Sequence, residues 1–391
     1  NDKFMEVIHR ATKEENFDDS WELIDPHTQQ VKKVVSARTL WVKLLQNRME
    51  TGEPYLMFED AVNQDLPEFQ KKKGLYVNHS NLCSEITLAT NEERTAVCCL
   101  SSVNLEYYDL WSKIPAFIPD LVRMLDNVLQ HFIDNAPEQM EKAKYSAMRE
   151  RSIGLGAMGY HAYLQKNQIP FESIGASAAN YKMFKHIKED ALQETRRLAV
   201  ERGACPDDDS CEVRNAHLLA IAPNASSSII CGNTSPSIEP FRANAYTQKT
   251  KSGSHLQKNK YLEALLETKD ANTEAVWRDI VSNKGSVQHL EILSEDEKDI
   301  FKTAVEINQS WVVEHAAQRQ EFVCQSQSVN LFFPPDVTKG DLHNVHMLAW
   351  AKNLKTLYYL RSEAISRADN VSNQVKREVI FEQEDCLACE G

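Results

Sequence analysis

Glycine is scarce in this chain, 12 of 391 residues, about half its usual share. There is no internal repeat and no low-complexity tract, which excludes solenoid and fibrous architectures. No apolar run approaches the ~20 residues of a bilayer-spanning helix, so no transmembrane segment is expected. The opening Asn1-Asp2-Lys3-Phe4-Met5 has no basic stretch followed by an apolar one, and no secretory signal is expected. An initiator methionine is also lacking, which is read as a processed or truncated chain. Positive charge is not in excess: 44 Lys+Arg face 57 Asp+Glu, a net charge of −13. That excludes a broad electrostatic footprint for nucleic acid and leaves only local anion sites. The nine cysteines are odd in number and widely spread. They point to a reducing cytoplasm and reactive thiols rather than a disulfide framework.

What is present is globular. Hydrophobic residues are 42% and charged residues 26%, enough for a sizeable core in two or three ordinary domains or one large barrel. Residues 36–50 read as an amphipathic helix carrying Leu40, Val42, Leu44 and Leu45, stopped at Gly52-Glu53-Pro54. Residues 81–88 and 96–105 read as two strands, or extended loop and strand, around a polar turn at 91–94. Long helices are predicted over 116–134 and 176–202. Residues 215–231 read as a buried strand, a loop, and a helix start. Helices follow at 258–268, 271–282 and 294–320, then a strand at 326–333, a helix at 339–353 and a strand at 354–360. This alternation predicts a mostly parallel α/β fold. After Arg361 the composition turns polar, with Phe381 the one aromatic over 362–391. The chain is therefore divided into a folded part, 1–361, and a flexible tail, 362–391.

Several residue groups could carry chemistry. In an extended segment, Asn81, Cys83 and Glu85 face one way, an amide, a thiol and a carboxylate suited to sulfur chemistry beside a general base. The pentapeptide alone fits a half-buried strand with a packed cysteine more readily. Cys98 or Cys99, brought opposite Cys83 by an antiparallel turn, would be a redox partner or simply core. Cys386 and Cys389 form a C-x-x-C in an acidic tail that offers no core. Zinc needs four ligands, and the last histidine is His346, so thiol–disulfide exchange is the better reading. Tyr358 and Tyr359 are either one core and one surface tyrosine or a stacked redox pair. Pro223-Asn224-Ala225-Ser226-Ser227-Ser228 opens a helix after a strand, as an anion site or an ordinary cap. Gly154-Leu155-Gly156-Ala157-Met158-Gly159 matches G-x-G-x-x-G. It lacks the preceding strand and distal acid of a dinucleotide site, and reads as a tight helix–helix contact. His343 and His346 have no carboxylate pattern to complete a metal set, and no metal site is expected. Asp207-Asp208-Asp209 reads as a solvated loop.

In chain order, these segments resemble the large, catalytic subunit of class I ribonucleotide reductase. The resemblance rests on Asn81-Leu82-Cys83-Ser84-Glu85, Cys98-Cys99-Leu100-Ser101-Ser102-Val103-Asn104-Leu105 and Arg151-Ser152-Ile153-Gly154-Leu155-Gly156. It continues through Pro223 to Ser228 one by one, Ser237-Ile238-Glu239-Pro240, Leu354-Lys355-Thr356-Leu357-Tyr358-Tyr359, and the tail cysteines. It implies the C-terminal half of a ten-stranded α/β barrel with Cys83 on a central loop. Cys83 would become a thiyl radical, Glu85 the general base, and Asn81 a substrate hydrogen-bonding residue. Cys98 would be one member of the reducing pair, with Cys99 as its neighbour. Tyr358 and Tyr359 would relay the radical, Pro223, Asn224, Ala225, Ser226 and Ser227 would hold the substrate diphosphate, and Cys386/Cys389 would recharge the site from thioredoxin or glutaredoxin. The implied reaction is reduction of ribonucleoside diphosphates, with no cofactor bound directly and the radical supplied by a metal-containing small subunit. The tyrosine pair favours this class over a cobalamin-dependent reductase. A non-catalytic chain that only assembles with a complete reductase is the other reading. Family members are about twice as long. The second cysteine of the reducing pair and the nucleotide effector sites are expected in an N-terminal half, in the same or a separate chain, with an α2 dimer as the expected assembly.

Overall fold

The structure, a computed structural model, describes residues 1–250 and 253–362. Among the described residues ten strands occur, in chain order: β1 (Ser20–Ile24), β2 (Val31–Ser36), β3 (Leu56–Met57), β4 (Cys99–Asn104), β5 (Ile153–Met158), β6 (Ala245–Thr250), β7 (Gly253–Lys258), β8 (Leu331–Phe333), β9 (Thr356–Leu357) and β10 (Leu360–Ser362). The expected parallel α/β core is present. β4 pairs in parallel with β5, and Leu155 of β5 bridges in parallel to Leu219. Ile221 bridges in parallel to Gln327, and β8, just beyond, pairs in parallel with β10. Five parallel segments thus lie side by side. β1–β2, β6–β7 and β3–β9 are antiparallel.

Side-chain alternation gives this array an outer and an inner face. Ile153, Leu155 and Ala157 of β5 belong to the main apolar core, with Val122, Leu125 and Leu129 of the helix Phe117–Asn135 and Ile187 and Leu198 of the helix Ile174–Arg202. Each fully buried Leu or Ile there contributes roughly 1.5–3 kcal/mol. Gly154 and Gly156 point the other way. A Cβ on Gly156 would lie 2.5 Å from the Ala220 carbonyl oxygen. The glycines therefore serve close strand packing, and the helix–helix contact expected over 154–159 is corrected: this segment is β5.

The helix boundaries follow local chemistry. Ser36 caps Ala37–Thr51 by accepting from Thr39 N, and Gly52, at φ 84°, ends it in the left-handed region that glycine enters at low cost. The face expected to be apolar is only partly buried. Trp41 and Leu45 are inside, but so is Arg48, while Leu40 and Val42 are exposed. The single helix expected over 294–320 is two, Glu295–Ile300 and Gln309–Gln320. Glu306 breaks it by accepting from both Thr303 N (2.7 Å) and Thr303 Oγ1 (2.8 Å), a side-chain bond that competes with helix. Asp207 and Asp208 are buried rather than solvated. Arg94 forks both oxygens of Asp207 at 2.6 and 2.9 Å, and Arg149 adds a third contact. Burial alone would raise the Asp207 carboxyl. These guanidinium bonds outweigh it and hold the group below its ordinary range.

Candidate active site

The segment carrying Cys83 is a turn, not a strand. Ser84 has φ 72°, Ser84 N donates to Asn81 O (3.1 Å), and Asn81 N donates to Ile86 O (3.2 Å). The Asn81 side chain closes the same turn by accepting from Ile86 N at 3.0 Å. One-face alternation therefore fails here. The polar turn expected at 91–94 is present, Asn91 N donating to Arg94 O (3.2 Å) and Arg94 N to Asn91 O (3.3 Å), while β4 beyond it pairs in parallel with β5.

The turn is anchored by buried residues of the segment leading into β8 and of β9. Ser326 N donates to Glu85 O (2.9 Å), Thr356 Oγ1 to Ser84 O (3.1 Å), and Ser328 Oγ to Cys83 O (2.5 Å). Ser328 Oγ also lies 3.2 Å from Glu85 Oε2. Glu85 is 2% exposed. Burial raises its carboxyl above the ordinary range, against hydrogen bonds from Asn81 and Ser328 that favour the anion. A carboxyl raised in this way is closer to neutrality and better matched to accepting a proton near pH 7.

On the other side of the turn, the Tyr358 hydroxyl donates to Cys83 Sγ at 3.7 Å, and the Tyr358 and Tyr359 ring centroids are 4.5 Å apart. Desolvation, first, and the Cys83 contact push the Tyr358 phenol far above its ordinary range. Tyr359 is fixed by its backbone N donating to Asn330 Oδ1 (3.0 Å), while Asn330 Nδ2 donates to buried Glu239 (2.5 Å). The guanidinium of Arg361 lies 3.9 Å from the Tyr359 ring centre. Behind the strand, Lys355 Nζ donates to Cys324 O and Gln325 O, both at 2.7 Å. Arg48, brought near pKa 10 by burial, donates to Tyr358 O at 3.1 Å.

The structure distinguishes Cys98 from Cys99. Cys98 packs with Ile86, Leu88 and Ala220, on the side of the Cys83 turn, whereas Cys99 packs against the outer core. Gln325 links Cys98 to the turn: its Nε2 donates to Cys98 Sγ (3.3 Å) and its Oε1 accepts from Thr87 N (3.3 Å). Desolvation pushes the Cys98 thiol far up, so it is a neutral thiol. One segment away, Asn224 adopts φ 51° and its Nδ2 donates to Ser102 Oγ of β4 (2.9 Å). This fixes the loop of Pro223, with Ala225, Ser226 and Ser227 exposed at the start of the helix Ala225–Ile230. Asn81, Cys83, Glu85, Cys98, Tyr358 and Tyr359 are thus gathered around one turn, with the 223–227 loop on the adjoining parallel segment. Cys386 and Cys389 lie outside the described residues. Among the described residues no group of three or more His, Cys, Asp or Glu side chains is placed to hold a metal, and no helix is long and apolar enough to cross a membrane.

Residues 1–212 and 210–360 match the family described as ribonucleotide reductase, barrel domain. The chain belongs to that family. It is 46% identical over its whole length to the ribonucleoside-diphosphate reductase large subunit of Invertebrate iridescent virus 3 and spans 63% of that protein. It is 48% identical, again over its whole length, to the putative large subunit of Frog virus 3 (isolate Goorha), of which it spans 68%. The alpha subunit of the Actinobacillus ureae class Id ribonucleotide reductase superposes with a TM-score of 0.79 at 41% identity, over 84% of this chain and 62% of that one. The chain thus spans about two thirds of the length of these ribonucleotide reductase relatives.

The residues that sequence reasoning missed are the supports: Ser328, Gln325, Asn330, Lys355 and Arg48. A signal existed for some of them. Ser326, Ser328 and Asn330 place polar side chains at every second position of the buried segment leading into β8, where the strand expected over 326–333 is confined to Leu331–Phe333 and an apolar run is the norm.

Proposed function

We propose that this chain supplies the catalytic face of a ribonucleoside-diphosphate reductase and takes part in converting ribonucleoside diphosphates to deoxyribonucleoside diphosphates. The observation that carries this reading is the Tyr359–Tyr358–Cys83 line, with a 3.7 Å hydroxyl–sulfur contact at its inner end. In this reading Tyr359 and Tyr358 pass an oxidising equivalent from a radical-generating, metal-containing small subunit to Cys83. The resulting thiyl takes the 3′ hydrogen atom of the ribose, and Glu85 accepts the 3′-hydroxyl proton while Asn81 binds the sugar. The 2′-hydroxyl leaves as water. Cys98 and a second cysteine from the N-terminal part of the large subunit supply two electrons and two protons and become a disulfide, and the Cys83 thiol returns the hydrogen atom to C3′, regenerating the thiyl. Cys386 and Cys389 then reduce that disulfide by exchange and are recharged by thioredoxin or glutaredoxin. Pro223, Asn224, Ala225, Ser226 and Ser227 hold the diphosphate.

The five parallel segments are read as half of a ten-stranded barrel, closed by the N-terminal part, which also carries the effector sites and belongs to the same chain or a separate one. The assembly is read as an α2 dimer in a reducing cytoplasm, with 362–391 as its redox tail.

The test is CDP reduction by this chain with a polypeptide supplying the N-terminal part, a cognate small subunit and dithiothreitol. Activity is expected for wild type, and none for Cys83→Ser or Tyr358→Phe. Full turnover by Cys83→Ser would leave the chain as a non-catalytic assembly partner. Turnover supported by adenosylcobalamin without a small subunit would move it to the cobalamin-dependent class.

A further inference from the structure

A third tyrosine completes the aromatic group at Cys83. β3 and β9 pair antiparallel with Leu56 opposite Leu357 and Met57 opposite Thr356, so the next step outward sets Tyr55 against Tyr358. The rings follow that register. The Tyr55 centroid lies 4.6 Å from that of Tyr358 and 4.8 Å from that of Tyr359. With 4.5 Å between the latter two, the three rings form a nearly equilateral triangle, within the spacing of favourable aromatic pairs. Pairing one residue further along, Phe58 N to Lys355 O (2.8 Å), fixes the register from inside.

Packing alone would accept phenylalanine at position 55. The hydroxyl is what needs an account. It lies 3.3 Å from Glu53 Oε1, at the exposed rim of the group. Its hydrogen bond to the pair counteracts the upward push of burial on the Tyr358 phenol. Burial, and then a hydrogen bond with Tyr359, raise Tyr55 itself far above the ordinary tyrosine range, so it stays protonated and can donate at any physiological pH.

We propose that Tyr55 is a positioning residue for the Tyr358–Tyr359 pair, its ring setting their mutual orientation and its single hydroxyl proton alternating between Glu53 at the rim and the Tyr358 oxygen. This rests on the relay reading given above.

The first experiment places 3-nitrotyrosine at position 358 and titrates its phenol by visible absorbance, with no activity required. Tyr55→Phe keeps the ring and removes the hydroxyl. It should raise that pKa by about 0.5–1 unit, the effect of one hydrogen bond. An unmoved titration overturns the proposal. The second uses the reductase assembled with its N-terminal part and small subunit. Tyr55→Phe should lower kcat about five- to tenfold with KM for the diphosphate unchanged, and Tyr55→Leu should lower it further. A normal kcat for both variants, in an assembly where Tyr358→Phe is dead, overturns the role of Tyr55 and leaves the relay standing. Turnover by Tyr358→Phe itself removes the relay, and this proposal with it.

Discussion

One methyl group on Gly156 measures how tightly the parallel array is closed around the catalytic turn. An alanine Cβ there would stand 2.5 Å from Ala220 O, 3.2 Å from Ser102 Oγ and 3.3 Å from Ile221 Cα. The carbonyl cannot turn aside, because parallel bridges on both sides of it hold Leu219 to Leu155 and Ile221 to Gln327. Restoring an ordinary contact means separating two strands by nearly ~1 Å in a close-packed interior, and overpacking of this kind costs about 1–3 kcal/mol. Backbone displacement belongs at the upper end of that range, and a loss of about 3 kcal/mol lowers the melting temperature of a chain this size by about 4 °C. Gly154→Ala is the control. Its Cβ would meet the end of the Leu100 side chain, which is 43% exposed and free to swing out, and Ala220 Cβ and Cys98 Sγ, each at 3.1 Å, so it should cost less than Gly156→Ala, about 1–2 kcal/mol. Thermal unfolding followed by far-ultraviolet circular dichroism reads both. Equal melting temperatures, or Gly154→Ala as the worse variant, would refute strand closure as the reason for glycine at position 156.

Other predictions concern buried charge and pH. His161, His315 and His346 are each held at about 3, chiefly by burial, well below the ordinary ~6.5. Their folded pKa lies below the unfolded one, so the stability they contribute is complete above ~6.5 and is lost as pH falls toward 3, at up to about 4 kcal/mol per pH unit for three groups. The urea midpoint should therefore drop steeply between pH 6.5 and pH 5, and a flat midpoint over that interval contradicts the burial of these rings. Asp207→Asn leaves Arg94 and Arg149 without their shared anion and should cost about 3–5 kcal/mol, read as a lower urea midpoint at pH 7. Ser328→Ala removes a hydrogen bond that favours the Glu85 anion. The acid limb of turnover should move up by about 0.5–1 pH unit, and an unmoved limb would exclude Glu85 as the base.

The sequence disclosed element types better than local geometry. Strand–helix alternation and the stop at Gly52-Glu53-Pro54 disclosed the parallel α/β class and one helix to within a residue at each end. The grouping of Cys83, Glu85 and Asn81 was legible, but the extended segment invoked for it was wrong. Ser84 turns left-handed, and long-range bonds from Thr356, Ser326 and Ser328, more than 240 positions away, hold the turn against local preference. The choice between Cys98 and Cys99 needed the β4–β5 register. Arg48 and Asp207 were hidden for a related reason. Sequence gives no hint that a charged group will find its carbonyl or guanidinium partners inside, so both read as surface. Tyr55 became visible only when β3 was laid against β9.

The hydroxyl–sulfur contact between Tyr358 and Cys83 joins positions 275 residues apart, and that separation has a temporal meaning. During synthesis at ~5–20 residues per second, Cys83 leaves the ribosome roughly 15–55 s before Tyr358 follows. Ser328, which holds the carbonyl of Cys83, also arrives late. For that interval a nascent chain carries its thiol with neither the phenol nor the serine clamp beside it. The reactive geometry is therefore a property of the finished fold, and a polypeptide stalled or cut before residue 328 has the cysteine without its site.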